Sequence, residues 1–214
     1  MRKDIIQKVL DNKIIVIVRG VYGEDCLKLA KALCKGGIKL LEVTFDQSKP
    51  EQLTRTSDTI KLLVEKMGEG MSFGAGTVTT VEMVELAKSA GAQFIISPNT
   101  NEKVIRATVE ADMVSMPGAM TASEVLSAHE YGADFVKLFP VGELGASYVK
   151  ALCAPINHIK VLAVGGVNEN NLKEFLKAGA VGVGVGGNLV NKEWIVAGEF
   201  DKITALARKF VQNL

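Results

Sequence analysis

Cysteine is scarce in this chain: of 214 residues only Cys26, Cys34 and Cys153 are thiols, odd in number and with no C-x-x-C pair. That excludes a disulfide framework and a thiolate zinc site, and it suits a reducing compartment. Histidine is scarcer still. His129 falls in a helical pattern and His158 in a loop, with no Asp/His cluster nearby, so both read as structural or surface residues and no metal is expected. An excess of one charge is missing too: 25 Lys and Arg face 24 Asp and Glu, for a net charge of +1. No basic field exists to attract nucleic acid or anionic lipid. No apolar run is long enough to span a bilayer. The opening Met1-Arg2-Lys3-Asp4-Ile5-Ile6-Gln7-Lys8 interrupts its apolar residues with charge, unlike the core of a signal peptide. The expected setting is the cytoplasm, with neither nucleic acid nor membrane as partner.

What remains is ordinary globular composition, 48% hydrophobic with 21 Gly and 5 Pro. Short apolar runs recur at residues 14–18, 38–45, 71–75, 93–97, 112–116, 134–139, 159–164 and 181–185. Between them lie amphipathic stretches such as 26–33, 82–88 and 171–176, with apolar residues three and four apart. Strand and helix thus alternate, which implies parallel strands buried on both faces. Helices end in turns such as Gly36-Gly37, Ala90-Gly91, Tyr131-Gly132 and Ala178-Gly179, where Gly supplies a left-handed cap. Eight units of about 27 residues each predict one α/β domain over residues 1–214, a (β/α)₈ TIM barrel. Residues 3–10 would form an extra N-terminal helix closing its bottom. An open doubly wound sheet is the competing arrangement, which periodicity alone does not separate from the barrel.

A barrel carries its chemistry at the C-terminal ends of its strands. Lys137, in Phe135-Val136-Lys137-Leu138-Phe139-Pro140, is an amine among apolar neighbours, and strand parity places Phe135, Lys137 and Phe139 on one face. If that face is the interior, desolvation lowers the amine's pKa and leaves a nucleophile that condenses with ketones. Glu42, in Leu40-Leu41-Glu42-Val43-Thr44, is the matching carboxylate. The two could be a structural ion pair or an amine and its proton-transfer group. Arg19 ends the first run, and its planar fork of donors suits a substrate carboxylate or phosphate. Gly165-Gly166, followed by an expected helix over 167–171, and Gly186-Gly187-Asn188 after the eighth run place two Gly-rich loops where barrels bind phosphate.

The ordered motifs Leu41-Glu42-Val43-Thr44, Gly74-Ala75-Gly76-Thr77-Val78, Ile96-Ser97-Pro98, Met116-Pro117-Gly118, Val136-Lys137-Leu138-Phe139-Pro140 and Gly165-Gly166-Val167 cover nearly the whole chain. With them the chain resembles the class I 2-keto-3-deoxy-6-phosphogluconate (KDPG) / 4-hydroxy-2-oxoglutarate (KHG) aldolase family. The resemblance implies a homotrimeric TIM barrel that needs no metal or other cofactor. It puts the Schiff base on Lys137, the catalytic glutamate at Glu42, and the pyruvate pocket at Thr77, Pro98 and Phe139. Many relatives carry an arginine where this chain has Asp46, so Arg19 is the candidate for the keto-acid carboxylate. Val164 and Asn188 stand where relatives often have a threonine and a serine, which removes two hydroxyl donors near the distal half of the substrate.

The expected activity is aldol cleavage of a 2-keto-3-deoxy acid, one bearing a phosphate by this reading, to pyruvate and an aldehyde such as glyceraldehyde 3-phosphate or glyoxylate. Arg19, Gly165, Gly166, Gly187 and Asn188 would hold the substrate beside the pyruvate pocket. Two other readings stay open. One is a metal-independent isomerase, epimerase or decarboxylase of a sugar phosphate; the other is a barrel kept only to bind a ligand or partner.

Overall fold

A computed structural model describes residues 2–214, the side chain of Pro50 excepted. Its strands are β1 (Ile14–Val18), β2 (Leu40–Thr44), β3 (Ser72–Gly76), β4 (Phe94–Ile96), β5 (Val114–Met116), β6 (Gly118–Ala119), β7 (Val136–Leu138), β8 (Val161–Val164) and β9 (Gly182–Val185). All pairings are parallel, in the order β5-β4-β3-β2-β1-β9-β8-β7-β6. The two outer members, β5 and β6, are joined by the single residue Pro117, so the sheet comes round to a nearly closed barrel.

Nine strands stand where eight runs were expected. Pro117 carries no N–H, so it breaks the ladder inside the fifth barrel position. Met116 and its predecessors pair with β4, whereas Gly118 and Ala119 pair with β7. The Pro117 carbonyl still accepts from the Lys137 N–H at 2.8 Å. Several strands are shorter than their apolar runs, because the runs continue into buried loop residues such as Ile38 and Phe45.

The helices follow the amphipathic stretches: α2 (Gly23–Lys35), α4 (Val81–Ser89) and α8 (Leu172–Lys177) contain or overlap them. Two caps show how local chemistry sets the boundaries. Asn101 accepts from Lys103 and Val104 N–H to start α5 (Glu102–Glu110), and Thr121 and Glu124 form a capping box on α6 (Ala122–Glu130). Gly37 and Gly91 take the expected left-handed φ, +99° and +84°, just past α2 and α4. The helix expected over 167–171 is absent. There the Asn168 side chain accepts from the N–H groups of Asn170 and Asn171, and Asn171 accepts from Asn168 N–H. Such side-chain turns compete with helical bonds, and α8 starts only at Leu172.

Parity along the strands sorts the barrel interior into layers. Ile15, Leu40, Phe94, Val114, Phe135 and Leu162 form a buried apolar cluster. Helix α1 (Arg2–Asn12) adds Ile5 and Val9 to it, each worth about 1.5–3 kcal/mol of burial. Two polar links tie α1 down: Lys8 Nζ donates to Ser72 Oγ at 2.9 Å, and Arg2 grips both carboxylate oxygens of Asp134 at 2.9 and 3.0 Å. Two and four residues further along the same strand faces come Ile17 and Arg19, Glu42 and Thr44, Ile96 and Pro98, Lys137 and Phe139. The polar groups among them sit above an apolar floor. Among the described residues no helix is long and apolar enough to cross a membrane.

Candidate active site

A cavity of about 500 Å³ opens at the C-terminal ends of the strands. Arg19, Thr77, Pro98, Lys137 and Phe139 form one part of its wall, and Gly165, Gly166, Gly187 and Asn188 another. The residues expected to bind substrate or react are therefore brought to one mouth, except that Glu42 is buried and does not reach its wall.

Lys137 is 9% exposed and Glu42 1%. No ion pair joins them among the described residues, and Glu42 Oε2 is buried without a hydrogen-bond partner. Burial pushes the Glu42 carboxyl up, against the pull of the Lys137 and Arg19 cations. Burial likewise pushes the Lys137 ammonium down; Glu42 opposes this and Arg19 adds to it. Burial thus disfavours the charged form of each group. The Lys137 Nζ sits 4.9 Å from the centre of the Phe139 ring, which is itself 41% exposed at the rim.

Glycines make the room. A Cβ on Gly76 would overlap the Glu42 carboxylate, and one on Gly74 would overlap the Phe94 ring of the floor below. Lys137 is in register with Gly118, whose missing side chain leaves space for the Pro98 backbone. Gly165 and Gly166 both have left-handed φ, and side chains there would press on Phe139 and on Gly142.

On the opposite wall, Thr77 has a φ of +58°. A β-branched residue in the left-handed region is strained by about 1–3 kcal/mol. Gln47 holds it there: its Nε2 donates to the Thr77 carbonyl at 3.1 Å and its Oε1 accepts from Thr79 Oγ1 at 3.1 Å. Thr77 Oγ1 in turn accepts from Arg19 Nη2 at 3.3 Å. Asp46 accepts from Ser48 N–H, which, with Arg19, holds its carboxyl below the usual range. The Asn188 side-chain amide donates to the Val167 carbonyl at 2.8 Å and ties the two Gly-rich loops together.

Two further residues shape the site. Gly76 falls within the Gly74-Ala75-Gly76-Thr77-Val78 motif, so the sequence carries a signal for it; Gln47 has none, because only the loop fold brings it to Thr77. The thiols and imidazoles lie away from the cavity. Burial pushes the Cys26 thiol up to about 12, far from a nucleophilic thiolate. His129 and His158 meet edge to face, with ring centres 5.4 Å apart. Among the described residues no group of three His, Cys, Asp or Glu is placed to hold a metal.

The family model described as KDPG and KHG aldolase matches residues 5–206. A 2-dehydro-3-deoxy-phosphogluconate aldolase of Treponema pallidum (strain Nichols) is 33% identical over 94% of this chain and 92% of its own length. A 2-dehydro-3-deoxy-6-phosphogalactonate aldolase of Escherichia coli (strain K12) is 36% identical over 82% of this chain and 83% of its own. Among solved structures, the KDPG aldolase of Legionella pneumophila, with pyruvate captured as a covalent carbinolamine, superposes with a TM-score of 0.83 at 29% identity, covering 95% of this chain and 96% of that one. Matched almost end to end in sequence and in fold, this chain belongs to the KDPG and KHG aldolase family.

Proposed function

We propose that the protein is a class I aldolase, a lyase that cleaves a 2-keto-3-deoxy acid to pyruvate and an aldehyde, with residues 1–214 acting as one (β/α)₈ barrel unit in which Pro117 interrupts the fifth strand. One observation carries this reading: a buried lysine on the cavity wall with a buried carboxyl beneath it, the Glu42 oxygen lacking any protein partner. Both groups are costly to bury, and neither is repaid by a direct ion pair. The family relatives, one of them captured with pyruvate as a carbinolamine, support the same chemistry.

The neutral Lys137 amine adds to C2 of the keto acid, and the carbinolamine loses water to give an iminium. Glu42 supplies and removes the protons of these steps, then takes the proton of the C4 hydroxyl, directly or through one water. The C3–C4 bond breaks, its electron pair moves into the iminium to give an enamine, and the aldehyde leaves. Protonation at C3 and hydrolysis release pyruvate and restore Lys137. The Phe139 ring and Pro98 flank the reacting end, where water is least welcome. Arg19, held by Thr77 Oγ1, receives the keto-acid carboxylate in place of the arginine that Asp46 replaces. Gly165, Gly166, Gly187 and Asn188 line the cavity on the side assigned to the distal half of the substrate, and their N–H groups take part in none of the hydrogen bonds found among the described residues. We further propose a cytoplasmic homotrimer, as the family resemblance implies.

The test is borohydride reduction in the presence of pyruvate, followed by peptide mass mapping. The expected adduct lies on Lys137; an adduct on another lysine, or none, removes the assignment. A protein that traps no imine yet binds a sugar phosphate would instead fit an isomerase on the same barrel.

A further inference from the structure

A 2-keto-3-deoxy acid with a terminal phosphate carries an anion at each end, so the distribution of cations around the cavity bears on which end each one serves. Arg19 is committed to the reacting end: its Nη2 donates to Thr77 Oγ1, and its charge acts on Glu42, Lys137 and Asp46. On the other wall Val164 is apolar, and the Asn188 amide is engaged in donating to the Val167 carbonyl. A second cleft of about 250 Å³ shares Ile17, Arg19, Gly186 and Gly187 with the first and is completed by Val190 and Lys192. The Lys192 Nζ lies over Gly20, where a Cβ would come within 3.3 Å of it. Lys192 makes no ion pair among the described residues, and no carboxylate lines either cleft.

Resting on the aldolase reading, we propose that Lys192 is a specificity-determining residue that reads a phosphate at the distal end of the substrate, beside the Gly186-Gly187 backbone. An ammonium is a compact point charge with three donors, suited to a phosphate whose position is already set by backbone N–H groups.

The experiment compares kcat/KM for phosphorylated and unphosphorylated 2-keto-3-deoxy acids of the same stereochemistry, in wild type, Lys192→Met and Lys192→Arg. Lys192→Met is expected to lower the phosphorylated-to-unphosphorylated ratio about tenfold, chiefly through KM, and to weaken competitive inhibition by inorganic phosphate by a similar factor. Lys192→Arg, which keeps the charge, is expected to keep most of the ratio. A ratio that Lys192→Met leaves in place, or a wild type with no preference for the phosphorylated acid, overturns the assignment. A wild type that traps no pyruvate and cleaves neither acid overturns the aldolase reading itself, and this inference with it.

Discussion

The carboxylate of Glu42 occupies the space that a side chain on Gly76 would need. The two residues lie on adjacent parallel strands, β2 and β3, where Gly76 is in register with Thr44 and Glu42 with Gly74. The buried acid therefore leans across the neighbouring strand over a backbone that carries no Cβ, and its position depends on Gly76 as much as on its own rotamer.

Gly76→Ala is expected to push Glu42 out of place while leaving its chemistry intact. Overpacking at a buried site costs about 1–3 kcal/mol of stability, and a misplaced proton-transfer group costs about 100-fold in rate. Pyruvate release measured beside a thermal melt separates the two effects. A variant that retains wild-type kcat would show that Glu42 need not sit where it does.

Replacing the buried pair by apolar side chains, Lys137→Met with Glu42→Met, is expected to abolish cleavage and pyruvate trapping yet raise stability by about 1–3 kcal/mol at neutral pH. For a chain of this size that corresponds to a melting point higher by a few degrees. A double variant that melts below wild type would mean the pair stabilises the fold.

The same pair fixes the sign of a pH dependence. The Glu42 carboxyl is raised from 4.5, so its contribution to stability is present below 4.5 and lost as pH rises through its folded value. The Lys137 ammonium is lowered from 10.5, so its contribution is present above 10.5 and lost as pH falls through its folded value. Glu42→Gln should therefore gain most over wild type in neutral and mildly alkaline solution and least near pH 4. Chemical denaturation across pH reads this directly, and a gain that grows toward acid would contradict the assigned direction.

Thr77→Gly relieves a left-handed, β-branched backbone and is expected to stabilise the chain by about 1 kcal/mol. It also deletes the hydroxyl that accepts from Arg19. The expected result is a more stable protein with a KM several-fold higher for the keto acid, and Gln47→Ala should raise KM in the same direction without the gain in stability. An unaltered KM in both variants would detach this wall from substrate binding.

Arg2→Ala removes the grip of α1 on Asp134, which is 9% exposed at its side chain. The expected cost is about 1 kcal/mol in a thermal melt, with kcat unaffected because the contact lies at the opposite end of the strands. A change in kcat would reveal coupling between the two ends of the barrel.

Much of this arrangement was legible in the sequence. The alternation of apolar runs and amphipathic stretches gave the parallel α/β class, and Lys137 and Glu42 stood out because a charge enclosed by Val, Leu and Phe has no bland place on a surface. Other features were not legible. Gly118-Ala119, beyond Pro117 and outside every apolar run, forms a strand only because β7 lies beside it, and the Asn168–Asn171 turns won over a pattern that looked helical. Gln47 meets Thr77 from 30 residues away through loop geometry that no periodicity encodes.

By itself the sequence determined what kinds of groups are available: a lysine and a glutamate embedded in apolar strands, glycines at the loop ends, no thiol or imidazole cluster. Tertiary structure decided what those groups become. Only the curved sheet brings Lys137 and Arg19 to one cavity, with Glu42 buried close by, above a dry apolar floor, and it is this exclusion of water, a property of neighbours far apart in the chain, that shifts the amine and the acid from their ordinary pKa values.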